Sequence, residues 1–315
     1  MHGLWSGRFL RAVWPVRWGV LVTTTVPPFY ANSYLTVQEY KESPTALDAR
    51  TLVPDRPGTT QDEQLAGLIQ QASRFLDNMA RQELYASVQT QSDDVRVNRQ
   101  GFAVLHAQQD RATQVTGFAW GMSPTSLTAL STVTPTQYLI QDNRILFSLS
   151  PAGNLSWVGG LNVGMPVNTR NLYVRWSYIA GWCTTVLSGA AAVGATSVTV
   201  ADPSGLYPGA AVRVAQGSQA EQVTVAGSWV YGQATVPLTA PLTYGYDQGS
   251  GVSNVPDDIR RATVMATSAY IKARKSGGFV LGGVSGTVDQ TTDQQVGSDL
   301  AQAREIAQRY ALKAS

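Results

Sequence analysis

The feature that most constrains this chain is a change of hydrophobic period just past residue 82. From 61 to 82, Leu65, Leu68, Ile69, Ala72, Leu76 and Met79 recur at three- and four-residue steps, the spacing of a helix with one buried stripe. From about 85 to 183 the step becomes two. Val95 and Val97 alternate with polar residues, Asn98 to Gly101 supplies a turn, and Phe102 and Val104 alternate back, which reads as a hairpin. Leu172, Val174, Trp176 and Tyr178 then alternate with Tyr173, Arg175 and Ser177, the pattern of a half-buried strand. A chain holding both periods must bury a helix stripe and strand faces together, which predicts an α+β fold.

Local signals punctuate these runs. Thr36 with Glu39 and Thr60 with Glu63 each form a capping box that opens a helix. Pro44 closes the first helix. Asp62 and Glu63 in the first turn of the second, and Arg81 near its end, suit the helix dipole.

Residues 184–254 read as an inserted β module, a small sandwich or open barrel. Gly194 to Val200, Val212 and Val214, Glu221 to Val225 and Thr235 to Leu238 are short strands bounded by Gly or Pro. Helical spacing returns at 255–275. Pro256, Asp257 and Asp258 open that helix, and Ile259, Ala262, Ala266, Ala269 and Ala273 form a narrow stripe that lets another helix approach closely. A Gly-, Thr- and Gln-rich stretch, 276–297, reads as an extended loop. Ser298 caps a last short helix with Leu300, Ala303, Ile306 and Tyr310.

Hydrophobic residues make up 43% of the chain and charged ones 14%, too apolar for a disordered protein and suited to a subunit that lies against neighbours. The net charge is +2, and Arg8, Arg11 and Arg17 supply more than all of it, so no global basic field argues for nucleic-acid binding. In the first 33 residues, Arg11, Pro15 and Arg17 interrupt any apolar run, so the segment is read as an irregular or mobile arm rather than a membrane span or signal peptide.

Three stretches resemble the head-to-tail adaptor (connector) proteins of tailed bacteriophages. The first, Tyr34 to Lys41 with Leu65 to Asp77, is similar to the family's N-terminal helix pair. The second, Trp176-Ser-Tyr-Ile-Ala-Gly-Trp182, is similar to its strand followed by Ala-Gly-aromatic. The third, Val255 to Ala262 running into Ala269-Tyr-Ile-Lys-Ala-Arg274, is similar to the helix after that strand. The resemblance implies a helical adaptor core with β-hairpin elements, residues 34–183 and 255–275, interrupted by the β module. It implies a ring of about twelve copies in the virion neck, assembled in the host cytoplasm. That ring would meet the portal protein on one face and a tail-completion or tail-terminator protein on the other. Double-stranded DNA would pass through it without sequence-specific binding. The C-terminal segment 276–315, with Gly277, Gly278, Phe279, Leu281, Leu300, Ile306 and Tyr310, is the candidate portal-docking segment. The inserted module and the long N-terminal arm depart from compact family members.

The inventory for chemistry is poor, and no enzyme, cofactor, metal site or membrane association is expected. The histidines are His2 and His106, and the single cysteine, Cys183, lies in an apolar strand. No Walker loop or HExxH occurs, and the glycine-rich run 277–286 lacks dinucleotide spacing. Asp93-Asp94 and Asp257-Asp258 are read as a turn and a helix start. Arg260, Arg261, Lys272, Arg274 and Lys275 form a candidate basic face, either lining a DNA channel or solvated and paired with the next subunit. Two alternatives stand beside the adaptor reading: another tail or baseplate component, and a glycan-binding β module using Trp157, Trp182 and Trp229 as stacking platforms.

Overall fold

The computed structural model describes residues 32–49, 52, 58–98, 102–141, 144–148, 171–276 and 290–311. The expected arm up to residue 31, the run 277–286 and Trp157 lie outside the described residues.

The elements follow in chain order. Helices α1 (Val37–Glu42) and α2 (Gln61–Ala80) precede strands β1 (Ser87–Arg96), β2 (Phe102–His106), β3 (Ala112–Ser123), β4 (Ser126–Ala129), β5 (Tyr138–Gln141), β6 (Arg144–Ser148) and β7 (Asn171–Ala180). Then come β8 (Thr184–Val186), β9 (Ser197–Thr199), β10 (Ala211–Gln216), β11 (Gln219–Thr224), β12 (Thr235–Pro237) and β13 (Gly251–Ser253), followed by α3 (Asp257–Ser276) and α4 (Gln290–Gln308).

The expectation of a helical core is overturned. Among the described residues the chain is mostly β, with 13 strands in four antiparallel sheets against four helices. The physical reason is burial. The two large sheets of the middle region, β1-β7-β3-β4 and β2-β6-β5, close on each other and make a core of their own. That core runs from Val95 and Leu105 to Phe147 and Trp176. Phe118 and Phe147 stack across it at 3.9 Å. The strand alternation is strict: Leu172, Val174, Trp176 and Tyr178 are all buried, while Tyr173 and Arg175 face out.

The expected hairpin at 95–104 is also corrected. β1 pairs with β7 and β2 with β6, and a single bridge, Val97 to Ala103, joins the two runs. Asn98 Oδ1 accepts the Phe102 N–H at 2.9 Å, which turns the chain from one sheet into the other. Asp93 and Asp94 consequently sit within β1 rather than in a turn.

The β module has two sheets, β11-β10-β13-β8 and β12-β9. They enclose a cluster running from Cys183 through Val212, Val214 and Val236 to Val252.

The helices form the third body. Both capping boxes are present: Thr36 and Thr60 accept the N–H of Glu39 and Glu63, whose carboxylates reach back. Arg81 is the left-handed C-cap of α2. One face of α3, with Ile259, Ala262 and Ala266, packs against α2 and against Ala303 and Ala307 of α4. Its other side places Val264 and Ile271 in a cluster with Tyr40, Leu65 and Ile69. Inside this nearly enclosed helix, Thr263 and Thr267 donate to the carbonyls of Ile259 and Thr263, which satisfies the buried hydroxyls locally. α4 begins eight residues before Ser298, so part of the expected loop is helix. It is extended by packing against α3, despite Gly297 in its interior.

Candidate functional site

The five basic positions assigned to α3 do not form one face. Arg260 turns inward, 6% exposed, and its guanidinium donates to Glu39 Oε1 at 2.6 Å and to Ser253 Oγ at 3.2 Å. Glu39 is the same residue that closes the α1 capping box, where it accepts from the Thr36 N–H at 2.9 Å. Its carboxylate therefore binds a helix start and a helix-borne cation together, which is how a buried ion pair keeps its lone pairs satisfied. Arg261 is exposed. Lys272 pairs with Asp299 of α4 at 2.8 Å, Arg274 is half-buried, and the Lys275 side chain lies outside the described residues.

Around the Arg260–Glu39 pair the helical body meets the β module. Glu39 and Glu42 come from α1, Arg213 and Gly217 from the β10–β11 hairpin, and Asp257, Arg260 and Arg261 from α3. They line a groove of about 460 Å³. Arg213 stands 4.0 Å from Glu39, and burial, then the neighbouring Arg260, lowers its pKa. The groove holds as many cations as carboxylates, and its central pair joins α1 to α3. Sequence reasoning found Arg260 and Arg261 by helical position but missed Glu39 and Arg213. Glu39 read as a cap, and Arg213 lay in another segment altogether.

The C-terminal candidates that are described, Leu300, Ile306 and Tyr310, pack within the chain against the α2–α3 cluster. The Tyr310 hydroxyl donates to both oxygens of Asp258 at 2.7 Å, and its ring meets Trp182 edge-on at 5.3 Å. Asp258 thus holds the start of α3 to the end of α4. Gly277, Gly278, Phe279 and Leu281 lie outside the described residues.

Trp182 and Trp229 are each 4% exposed, so neither presents a ring face to a sugar. Trp229 Nε1 donates to the Gln233 carbonyl at 3.1 Å. The Cys183 thiol is fully buried, and burial raises its pKa well above the ordinary range. His106 is exposed at the end of β2 and shares a shallow pocket with Asp93 and Asp94. Asp93 Oδ2 there accepts from Trp176 Nε1 and from the Gln91 amide, both at 2.7 Å. Among the described residues no group of three or more His, Cys, Asp or Glu could hold a metal ion, and no helix is long and apolar enough to cross a membrane.

The element resembling Ala-Gly-aromatic has a plain geometric basis. Gly181 has φ +105°, and a Cβ there would lie 2.3 Å from the Tyr85 carbonyl oxygen. Only glycine lets the chain leave β7, bridge to Tyr85 and bury Trp182 among the helices.

No family model matches this chain, and no curated protein matches it either.

Proposed function

We propose that this chain is a structural subunit of a tailed-phage virion, a head-to-tail adaptor acting as one copy of a ring between portal and tail. The observation that carries the reading is convergence. The three stretches that resemble the adaptor family are far apart in sequence, yet they pack on one another around Tyr34, Leu76, Trp182, Ile259 and Ala266. Gly181 and the Arg260–Glu39 pair serve that junction. A second support is the outer face of the β1-β7 pair. It carries exposed Val88 and Tyr173 with Thr90, Ser92, Asp94, Arg175 and Ser177 among them, a mixed apolar and polar surface of the kind that subunit interfaces bury. In this reading the ring continues the DNA channel, holds no catalytic group and assembles through many repeated contacts.

The test is mass photometry of the purified protein, alone and with portal rings of the same virus. A discrete species of about twelve chains on the portal, lost in the Val88→Asp, Tyr173→Asp double variant, is the expected result. A monomer indifferent to the portal would overturn the adaptor reading.

A further inference from the structure

Strand edges divide this molecule into closed and open parts. In the β module the two sheets are joined at both ends. A bridge between Leu187 and Val200 carries β8 into β9, and one between Val225 and Leu238 carries β11 into β12. Beside them the Ala201 and Ala226 N–H groups donate to the Val186 and Pro237 carbonyls at 2.9 and 2.8 Å. The six strands thus close on themselves, and closure removes strand edges. The three-stranded sheet of the middle region is hemmed in. The bridge between Val97 and Ala103 ties the start of β2 to the chain just past β1. At the other end, β5 stands across a cleft of about 680 Å³ from the module, with Tyr138 and Leu139 opposite Tyr207 and Tyr231 and Arg111 at the end.

The sheet β1-β7-β3-β4 stays open at both ends. β1 pairs with β7 and β4 with β3, and among the described residues no further strand is bonded along either outer edge. An open edge is a template for another chain, and a protein that stays single blunts it with charge, above all lysine, or with proline. β4, Ser-Leu-Thr-Ala, has neither. It lies in a run, 112–141, that holds no charged residue although 14% of the chain is charged. Yet the run is on the surface: Thr125, Ser126, Thr128 and Ala129 are exposed, and so is Met122 at 51%. Depletion of charge marks the core of a subunit interface. At the opposite end of the sheet, exposed Val88, Thr90 and Ser92 alternate along β1, and residues 87–92 are uncharged as well.

We propose that β4 of one copy pairs with β1 of the next, so that this sheet runs on from subunit to subunit. The inference rests on the ring reading and names its joint. Three features select this occupant. Strand direction alternates across β1, β7, β3 and β4, so a following β1 runs antiparallel to β4, as the ladder requires. Each copy carries one edge of each kind, so the contact is head-to-tail and can close into a ring, whereas β1 on β1 or β4 on β4 makes a two-fold pair. Both sides of the joint, Ser126–Ala129 and residues 87–92, are neutral, so pairing them buries no unpaired charge. Backbone hydrogen bonds then supply the contact, as in other strand additions, and the exposed face of Val88 and Tyr173 borders it.

The test uses two variants of the full chain, Ala129→Cys on β4 and Ser92→Cys on β1, with a short bismaleimide cross-linker, alone and on portal rings of the same virus. Both positions are exposed, and the native Cys183 is fully buried. Neither variant by itself should give a covalent pair. Mixed together they should, and the chain carrying both changes should cross-link into a ladder that ends at the ring. Separately, Ala129→Lys should lose the ring in mass photometry while its melting temperature stays that of the parent. A covalent pair within either variant alone shows two-fold contact and overturns the proposal. So does a ring that forms without cross-linking between the two variants, or one that survives Ala129→Lys; in those cases the ring reading stands and its joint lies elsewhere. A parent chain that stays monomeric on the portal overturns both.

Discussion

The β module and the helical body are held together by different means. The module buries a contiguous run, Cys183 to Val252, and its cluster is built almost wholly of Val, Leu and aromatic residues. The helical body gathers Tyr34, Leu76, Trp182, Ile259 and Ala303 from the length of the chain. It is fastened at polar points: Arg260 on Glu39, Tyr310 on Asp258, and Tyr34 donating to Asp77. A core that folds from near neighbours can rely on non-directional burial. A body assembled from distant segments needs directional contacts to choose which helix meets which, so its buried ion pair and buried carboxyl sit at the joints, whereas the module keeps Glu221 at its rim on the Thr243 and Tyr244 N–H groups.

The comparison can be broken or sharpened by four variants. The largest effect is expected from Gly181→Ala. It forces a Cβ onto the Tyr85 carbonyl and should destabilise by more than about 4 kcal/mol, read as a collapse of the denaturation midpoint with the module's β signal retained. Full stability in that variant would sink the account of the β7-to-helix junction. Next, Arg260→Ala takes the close cation from the buried Glu39 carboxylate and leaves it only Arg213 at 4.0 Å, and should cost about 3 kcal/mol in chemical denaturation. In the module, Leu206→Ala removes a 2% exposed side chain and should cost about 3 kcal/mol, equally at pH 4 and pH 7. A pH-dependent loss there would erase the contrast between the two bodies.

The smallest and most diagnostic effect concerns Asp77. Burial raises its carboxyl from the ordinary 3.8 to about 6, against the hydrogen bonds from Tyr34 and the Leu84 N–H. The folded state thus holds this proton more tightly than the unfolded state does. The resulting stabilisation is complete below about pH 4 and is lost as pH rises to about 6, a change on the order of 2 to 3 kcal/mol. In Asp77→Asn, a melting-temperature series from pH 4 to 7 should lose that component of its slope. An unaltered slope would mean that Asp77 titrates normally in the fold.

Much of this was legible locally. Both capping boxes, the α2 stripe, the alternation in β7, the return of helix at Asp257 and the short strands of the module all follow from neighbour-to-neighbour spacing. The dominance of strands was not, because a helix stripe states its period over twenty residues while each short strand states little. Nor was the pairing of β1 with β7, whose partners Ser87 and Ala180 stand far apart in the chain. The basic positions on α3 could be placed on a helix. Whether each faced water depended on Glu39 and Asp299, which periodicity cannot bring near. The Tyr cleft was hidden for a related reason: the large tryptophans drew the eye, yet Trp182 and Trp229 are the buried backing, and Tyr207 and Tyr231 stand in front.

By itself the sequence determined where α1, α2 and α3 begin, which faces of α2 and β7 are apolar, that Gly181 precedes an aromatic, and that the charge balance offers no broad basic surface. Each is set by the backbone, by side-chain period or by composition within a few turns of chain. Tertiary structure alone decided that the sheets close into their own core. It also decided that Arg260 is a buried joint while Arg261 is not, and that Arg111 and three tyrosines from distant segments face one cleft. Burial and ion pairing depend on what lies across a few ångströms of space, and that distance is fixed only when the whole chain has packed.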